Sequence, residues 1–564
     1  MKQKAKTALP ILEAMRADAV RPEGVLATQL QMLSEMAQSV KDNVALQQRA
    51  SLLQSKWLLE DDVQNIYIAP CDFLENPAQC LKTLELNLLL AKRYRNKDIL
   101  MQLIDFTESI EEKITEPQRI ELIDAYGVDI LRFLLDVFQL YAKPSLLTCI
   151  QTVKDALYPY AGFLQNLPVI QESTPEPPQD VEASESVKKY YAKMHCLAHG
   201  ENIAKAVESA ALSFRCSGLM KDVDATIRAT KLLEKYHGTV HGAYTACDHL
   251  AGRCPSRAIH IKAATSYFNA LQKLLCITQD VSIANRMENI AINLLFAYAQ
   301  ENGLQVMQST NQIEVGVQNK KWYYAQEQSN AFFAPAEKQE ELLALCDSMN
   351  LLKNSLWMQK QGGGLVLMFP FASKALYYHE GKPVQIVCSG NYPYEDTVEL
   401  IVHCKEAVKF PIYVRIPDWA SQAVVSYGKD VWQPAIADSF FVISKTYHNG
   451  DVIKVRLPMA VKIKPFYRRS LALFKGPVLY ALPAQEATGN FALTNKPNII
   501  EQGVTELQVT AYPYTGEDKE DTRIALMPNC DVQNPQNLRF VPYHTCRTHI
   551  AQFATVDLDG EEQA

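Results

Sequence analysis

FFVISKTYHNGDVIKVRLPM, Phe440–Met459, decides the fold class of the second half of the chain. On both sides of Asn449-Gly450-Asp451 apolar and polar residues alternate with period two, so each arm fits a half-buried strand. Asn-Gly supplies the positive φ that a tight turn demands, and the two arms are therefore expected to pair as a hairpin. Similar runs, VELIVHC (Val398–Cys404) and IYVRIP (Ile412–Pro417), lie just upstream, bounded by Pro, Gly and Asn. The pattern starts only after Gly362-Gly363-Gly364. It predicts a β-sandwich over residues 363–482 and a smaller C-terminal β domain over 483–564.

Before residue 362 the period is helical, as in Leu30, Leu33 and Met36, or Leu131, Leu134, Leu135 and Phe138. Helical hairpins repeated over that length suit an (α/α)6 toroid, and periodicity alone allows a superhelical solenoid equally well. The expected class is thus multidomain α plus β, an N-terminal (α/α)6 barrel at 1–362 followed by β domains. QESTPEPPQDVEASES, Gln171–Ser186, is too rich in Pro, Glu and Ser to bury apolar surface and reads as an exposed loop.

A chain of 564 residues, 48% of them hydrophobic, exceeds what one core usually organises, so several domains are expected. Net charge is -7 and no basic stripe is present, which argues against a nucleic-acid partner. No run approaches the roughly 20 apolar residues needed to cross a bilayer, and the first residues lack an apolar export segment. The expectation is a soluble, cytoplasmic protein with no membrane partner; a homodimer is left open. Thirteen cysteines without a C-x-x-C pair read as buried thiols rather than a disulfide scaffold. Six of the 11 histidines, His195, His199, His237, His241, His249 and His260, crowd one window and point to where polar chemistry converges.

Three ordered phrases, FPIYVRIPDWA (Phe410–Ala420), Phe440–Met459 and FKGPVLYALPA (Phe474–Ala484), resemble the β-sandwich signature of the beta-L-arabinofuranosidase family, glycoside hydrolase family 127 and relatives. RPEGVLATQLQML (Arg21–Leu33) is similar to that family's Gly-x-Leu-x-x-Gln-Leu helix, AHGENIAKAVESAALSF (Ala198–Phe214) to its His-Gly-x-Asn helix, and LRFVPYHTCRTHIAQF (Leu538–Phe553) to its Val-Pro-Tyr strand. The resemblance spans nearly the whole chain. It implies hydrolysis of terminal furanosides by a cysteine thiolate that a zinc ion holds, together with a glutamate and two further cysteines, and by a separate glutamate acting as acid and base. Metal coordination strips a thiol of its proton, which is why such a nucleophile exists at neutral pH.

LALCDSMNLLKNSLW (Leu343–Trp357) matches the family's Cys-Cys-x-x-Asn element, so the resemblance puts Cys346 in the nucleophile's place and Asp347 at a cysteine ligand. HGAYTACDHLAGRCPSRAIHIKAATSY (His241–Tyr267) resembles the segment carrying the acid/base and a Glu-x-Cys ligand pair. Asp248 falls at the acid/base, one methylene short, while His260 and Lys262 replace the two ligands. Lys is no zinc ligand, so the implied set His260, Cys346 and Asp347 is an altered one that counts against the metal. Either a weaker zinc site survives, or Lys262 supplies positive charge beside Cys346, or catalysis has been lost. His199 and Asn202, three apart on one helix, and His241, Tyr244, His249 and Lys262 are the expected sugar-binding set. A helix-end histidine and a solvated turn are the plainer accounts of these residues. Glu288, on the polar side of an amphipathic helix, reads as structural.

The expected function is retaining hydrolysis of terminal beta-L-arabinofuranosides or related sugars. The alternative is a catalytically degenerate carbohydrate-binding protein on the same fold; helical toroids also host epimerases and lyases.

Overall fold

Among the described residues, eleven α-helices of ten or more residues carry the N-terminal part: α1 Gly24–Ser39, α2 Val44–Leu53, α3 Pro77–Tyr94, α4 Lys97–Thr115, α5 Arg119–Leu140, α6 Pro144–Ala156, α7 Gly200–Ser217, α8 Lys221–His237, α9 Ile261–Thr278, α10 Val281–Ile290 and α11 Gln339–Ser355. The computed structural model describes residues 10–15, 19–40, 43–53, 70, 72–94, 96–115, 119–157, 199–246, 249–250, 252–255, 257–298, 305–307, 309–310, 333–335, 339–428, 431–483, 486, 489–514, 528–545 and 549–557. The expected loop at 171–186 lies outside them.

Local chemistry sets the helix ends. On α7 the apolar residues Ile203, Val207, Ala210 and Ala211 are buried, and the helix stops at Gly218, whose φ of 72° lets its N–H donate back to the Phe214 carbonyl. At α10 the Asp280 carboxylate accepts the Ser282 N–H at 2.9 Å.

Packing then closes these helices on themselves. Among the described residues, α2, α3, α5, α7, α9 and α11 each pack against the next, and α11 returns to α2. The remaining five lie against this ring, α1 on α2, α4 on α3 and α5, α6 on α5 and α7, α8 on α7, and α10 on α9. Closure of last helix on first is what separates a toroid from a solenoid.

The inside of the ring is charged. On α5, Leu131, Leu134 and Leu135 are buried, while Arg132 reaches the two flanking ring helices at once. Its guanidinium donates to both Glu208 oxygens on α7, at 2.6 and 2.7 Å, and to Glu85 on α3 at 2.6 Å. Asp129 accepts from Lys205 at 2.8 Å. These two cations outweigh burial, which works the other way, and hold the Asp129 carboxyl down to about 2.

Two sheets face each other behind the ring. One has the strand order Leu12–Ala14, Trp357–Lys360, Leu365–Leu367, Val408–Ile416, Ser439–Tyr447. The other runs Trp432–Pro434, Val424–Tyr427, Asp451–Arg456, Thr397–Cys404, Lys382–Ser389, Ser373–His379, Val20–Pro22. Phe410, Ile412 and Val414 from the first and Ile386, Leu400, Val402 and Ile453 from the second are buried in one cluster. Alternation along each strand makes this sandwich.

Three expectations change. The stretch expected as helical from its start instead opens with two strands, Leu12–Ala14 and Val20–Pro22, which complete one edge of each sandwich sheet. The arms of the expected hairpin do not pair with each other: Ser439–Tyr447 pairs Val408–Ile416 in one sheet, and Asp451–Arg456 pairs Thr397–Cys404 in the other. Asn449-Gly450 turns as expected, with Gly450 at φ 87°, but Gly450 N–H donates to Val402 and so carries the chain across to the second sheet. Finally, Val461–Pro465, Leu471–Lys475 and Val478–Pro483 join the C-terminal sheet, so the sandwich ends near Arg456 and not at 482.

A buried ion pair ties ring to sandwich. Arg415, on Val408–Ile416, donates to Glu288 on α10, with side chains 0% and 1% exposed. Glu288 also accepts from Tyr392 O–H at 2.6 Å and Trp419 N–H at 3.2 Å, and Arg415 donates to the Met368 carbonyl at 2.6 Å and to Asn285 at 2.7 Å. Glu288 therefore has a structural role.

Candidate active site

Three ring helices, α7, α9 and α11, start at the place where most of the candidate residues gather. His199 is the extended residue before α7, and it pairs antiparallel with His249 of the loop that follows α8. Their rings meet edge to face at 5.6 Å. Asn202 sits on the first turn of α7, half-buried, one turn on from His199. Tyr244 is 2% exposed; its O–H donates to the Gly200 carbonyl at 2.5 Å and its ring packs edge-on against Tyr267 at 5.0 Å. This tyrosine holds the loop against the start of α7, a positioning task rather than an open sugar platform.

The loop splits the histidine-rich window in two. Gly242 at φ 82° and the Thr239 N–H bond to Ala243 turn the chain at His241. His241 is fully buried, 4.3 Å from the Tyr543 ring of the C-terminal β domain. Burial, with His549 adding to it, pushes the imidazole well below its usual range. It lies in the packing between loop and β domain, not with the mouth residues expected to share its role. His237, also buried, accepts the Gly252 N–H at 3.1 Å. His195 and Asp248 lie outside the described residues.

The four positions that the family pattern assigns to zinc are engaged otherwise. His260 caps α9, its Nδ1 accepting the Lys262 N–H at 3.2 Å. Lys262 forms an ion pair at 2.5 Å with Glu340 on the first turn of α11. Burial disfavours the Lys262 charge, but the bond to Glu340 and the carboxylates of Glu201, Glu340 and Glu341 outweigh it, and the net effect raises the ammonium above its ordinary value. Asp347 accepts from Arg49 of α2 at 2.7 Å. Cys346 is 1% exposed, on the apolar stripe of α11 with Leu342, Leu345 and Met349. Burial pushes its thiol far up, Asp347 acts in the same direction, and the cation that opposes them is Arg49, not Lys262. Among the described residues no three of His, Cys, Asp and Glu converge as metal ligands, and these four positions do not fit zinc. Of the nine described cysteines, Cys80, Cys149, Cys346 and Cys388 are buried as the sequence reading expected, whereas the other five are only half-buried.

Arg49, Glu201 and Glu340 escaped the sequence reading. Glu340 and Asp347 are seven apart, two turns along one face, a spacing that could have marked both as facing the ring's interior.

Residues 366–459 match the family model described as Beta-L-arabinofuranosidase, GH127 middle domain. The middle of the chain is thus similar to the GH127 family. The end of that match agrees with the sandwich boundary near Arg456. A solved structure described as a glycoside hydrolase is 12% identical, with 98% of each chain covered and a TM-score of 0.73. A GH127 beta-L-arabinofuranosidase from Geobacillus stearothermophilus T6 is 14% identical over 95% of this chain and 92% of its own, with a TM-score of 0.65. A further GH127 beta-arabinofuranosidase is 12% identical over 97% and 99%, with a TM-score of 0.61. No curated protein matches by sequence. At such identities the likeness is one of fold, carried from the helical ring through the last β domain. No helix among the described residues is long and apolar enough to cross a membrane.

Proposed function

We propose that the chain is a glycoside hydrolase-like protein that takes a terminal beta-L-arabinofuranoside, or a related sugar, at the end of the ring where α7, α9 and α11 begin. The observation that carries this reading is the meeting of His199 and His249 at the start of α7, with Asn202 on the same turn. Imidazole and amide groups on rigid first turns are suited to hydrogen-bonding sugar hydroxyls, and the ring walls supply further polar groups. Lys262 belongs to the same rim, and Tyr244 fixes the loop behind it.

In the hydrolytic form of the reading, Cys346, having given its proton to solvent, attacks the anomeric carbon as thiolate while protonated Asp248 donates to the leaving oxygen; water then displaces the sulfur and returns a proton to Asp248. A specific observation favours a second form, in which the protein binds the sugar and does not cleave it: the thiol is buried and pushed up, and Asp347 is held by Arg49. One experiment separates the two. Aryl furanosides and pyranosides are assayed with wild type and Cys346→Ser, and sugar affinity is measured by calorimetry on both. Turnover that disappears in Cys346→Ser supports the thiol route; binding without turnover in wild type supports the second form. Neither binding nor turnover across the panel would refute the proposal.

A further inference from the structure

The positions that correspond to a zinc site are shared by two ring helices, His260 and Lys262 at the start of α9 and Cys346 and Asp347 on α11. A metal held there would fasten α9 to α11. In this chain ion pairs join the same helices. Lys262 of α9 pairs with Glu340 of α11 at 2.5 Å, and Arg49 of α2 pairs with Asp347 of α11 at 2.7 Å. Glu340 and Asp347 lie two turns apart on one face of α11, and each is joined to a different ring neighbour. α11 is thus clamped from both sides, and Lys353 adds a bond to the Leu52 carbonyl at the end of α2.

We propose that the mouth of the ring is a metal-independent site, in which the ion pairs Lys262–Glu340 and Arg49–Asp347 do the fastening that zinc would otherwise do. The donors at these positions are poorly disposed toward zinc. The His260 Nδ1 lone pair is spent on the helix cap, Asp347 is held through Oδ1 by Arg49, and the sulfur of Cys346 is packed among Leu342, Leu345 and Met349. An ammonium has no lone pair to offer a metal at all. Binding would require uncapping α9 and turning Cys346 out of its apolar stripe, and Lys262 would still supply no ligand. Arg49 and Lys262 are positioning residues in this account.

Metal content tests the proposal independently of any sugar chemistry. Full-length protein is produced in zinc-supplemented medium, dialysed and measured by elemental analysis, with unfolding midpoints recorded before and after dipicolinate. Less than about 0.1 zinc per chain and an unmoved midpoint are expected. The variant His260→Glu/Lys262→Cys/Asp347→Cys, which restores the family's ligand types around Cys346, is expected to gain about one zinc per chain. A wild type that holds about one equivalent, loses it in His260→Ala and loses stability to dipicolinate would overturn the proposal. Should the triple variant not fold, amide exchange of Lys262→Met and Glu340→Gln takes its place. Each single change is expected to speed exchange in the first turns of both α9 and α11, with the double change adding nothing more. Unchanged exchange in both singles, or effects confined to the mutated helix, would overturn the clamp.

Discussion

Replacing Arg415 with methionine should destabilise the protein by about 4 kcal/mol, because it leaves the carboxylate of Glu288 without its cation inside the molecule. Both side chains are essentially inaccessible, at 0% and 1% exposure, so water cannot take over the charge. Removing one partner of such a pair costs roughly 3–5 kcal/mol. The Met368 carbonyl and Asn285 Oδ1 also lose a donor, and Tyr392 and Trp419 continue to donate to Glu288, so these effects act in opposite directions on the total. Glu288→Leu added to Arg415→Met should recover about half of the loss: the orphaned charge is gone, while the Tyr392 O–H and Trp419 N–H lose their acceptor at about 1–3 kcal/mol each in the worst case. Glu288→Leu alone orphans the buried guanidinium at about the same cost, roughly 4 kcal/mol, so the two changes are expected to be strongly non-additive, with a coupling of about 6 kcal/mol. Urea unfolding followed by tryptophan fluorescence reads this directly, since Trp419 is a member of the network. A single variant within about 0.5 kcal/mol of wild type, or a double variant equal to the sum of the singles, would refute the assignment of this pair as the lock between ring and sandwich.

Other predictions follow from the same geometry. Burial lowers His237 and His544 to about 4 and also holds His241 well below its ordinary range, so these imidazoles fold neutral. Their folded values lie below the unfolded value near 6.5, so their contribution is fully present above that pH and is lost as pH falls toward 4, by about 3 kcal/mol for each of the first two. Denaturation midpoints measured from pH 7 to 4 should fall steeply, and His544→Phe should flatten that slope; a flat wild-type profile would contradict the burial. His199→Ala and His249→Ala are expected to weaken sugar binding about tenfold or more, consistent with loss of a hydrogen bond from a site built to make it, whereas His241→Phe should leave affinity unchanged and alter only stability. Calorimetric titration checks this, and equal losses in all three variants would count against the division of the histidine window. The Cys346 thiol should resist alkylation in native protein at pH 7 to 9 and react on unfolding, as mass spectrometry of labelled peptides would show; native labelling at the rate of an exposed thiol would contradict its placement.

Much of the fold was legible because strong periodicities carry it. Val398–Cys404 and Ile412–Pro417 alternate as strands should, and α5 shows its buried stripe in Leu131, Leu134 and Leu135. The strands Leu12–Ala14 and Val20–Pro22 were hidden because three residues are too few to show a period; only the sheet edges waiting at Trp357–Lys360 and Ser373–His379 make them strands. Asn449-Gly450 announced a turn correctly but not its partners, since local φ does not determine whether the next strand stays in its sheet or crosses to the facing one. At the candidate site, His199 and His249 meet, yet His241 packs against Tyr543 of the C-terminal β domain, a long-range contact that composition cannot show. Cys346 was readable in a different way. It falls with Leu342, Leu345 and Met349 at helical spacing, the stripe that goes inward, while Glu340 and Asp347 share another face.

A sugar bound where α7, α9 and α11 begin should leave its mark on the backbone around it. Hydrogen–deuterium exchange of the full chain with and without saturating methyl beta-L-arabinofuranoside would test it most directly. Protection is expected in peptides covering His199–Lys205, Tyr244–Lys262 and Glu340–Asp347 and nowhere in the sandwich. Protection confined to the β domains, with those three segments unchanged, would contradict the account.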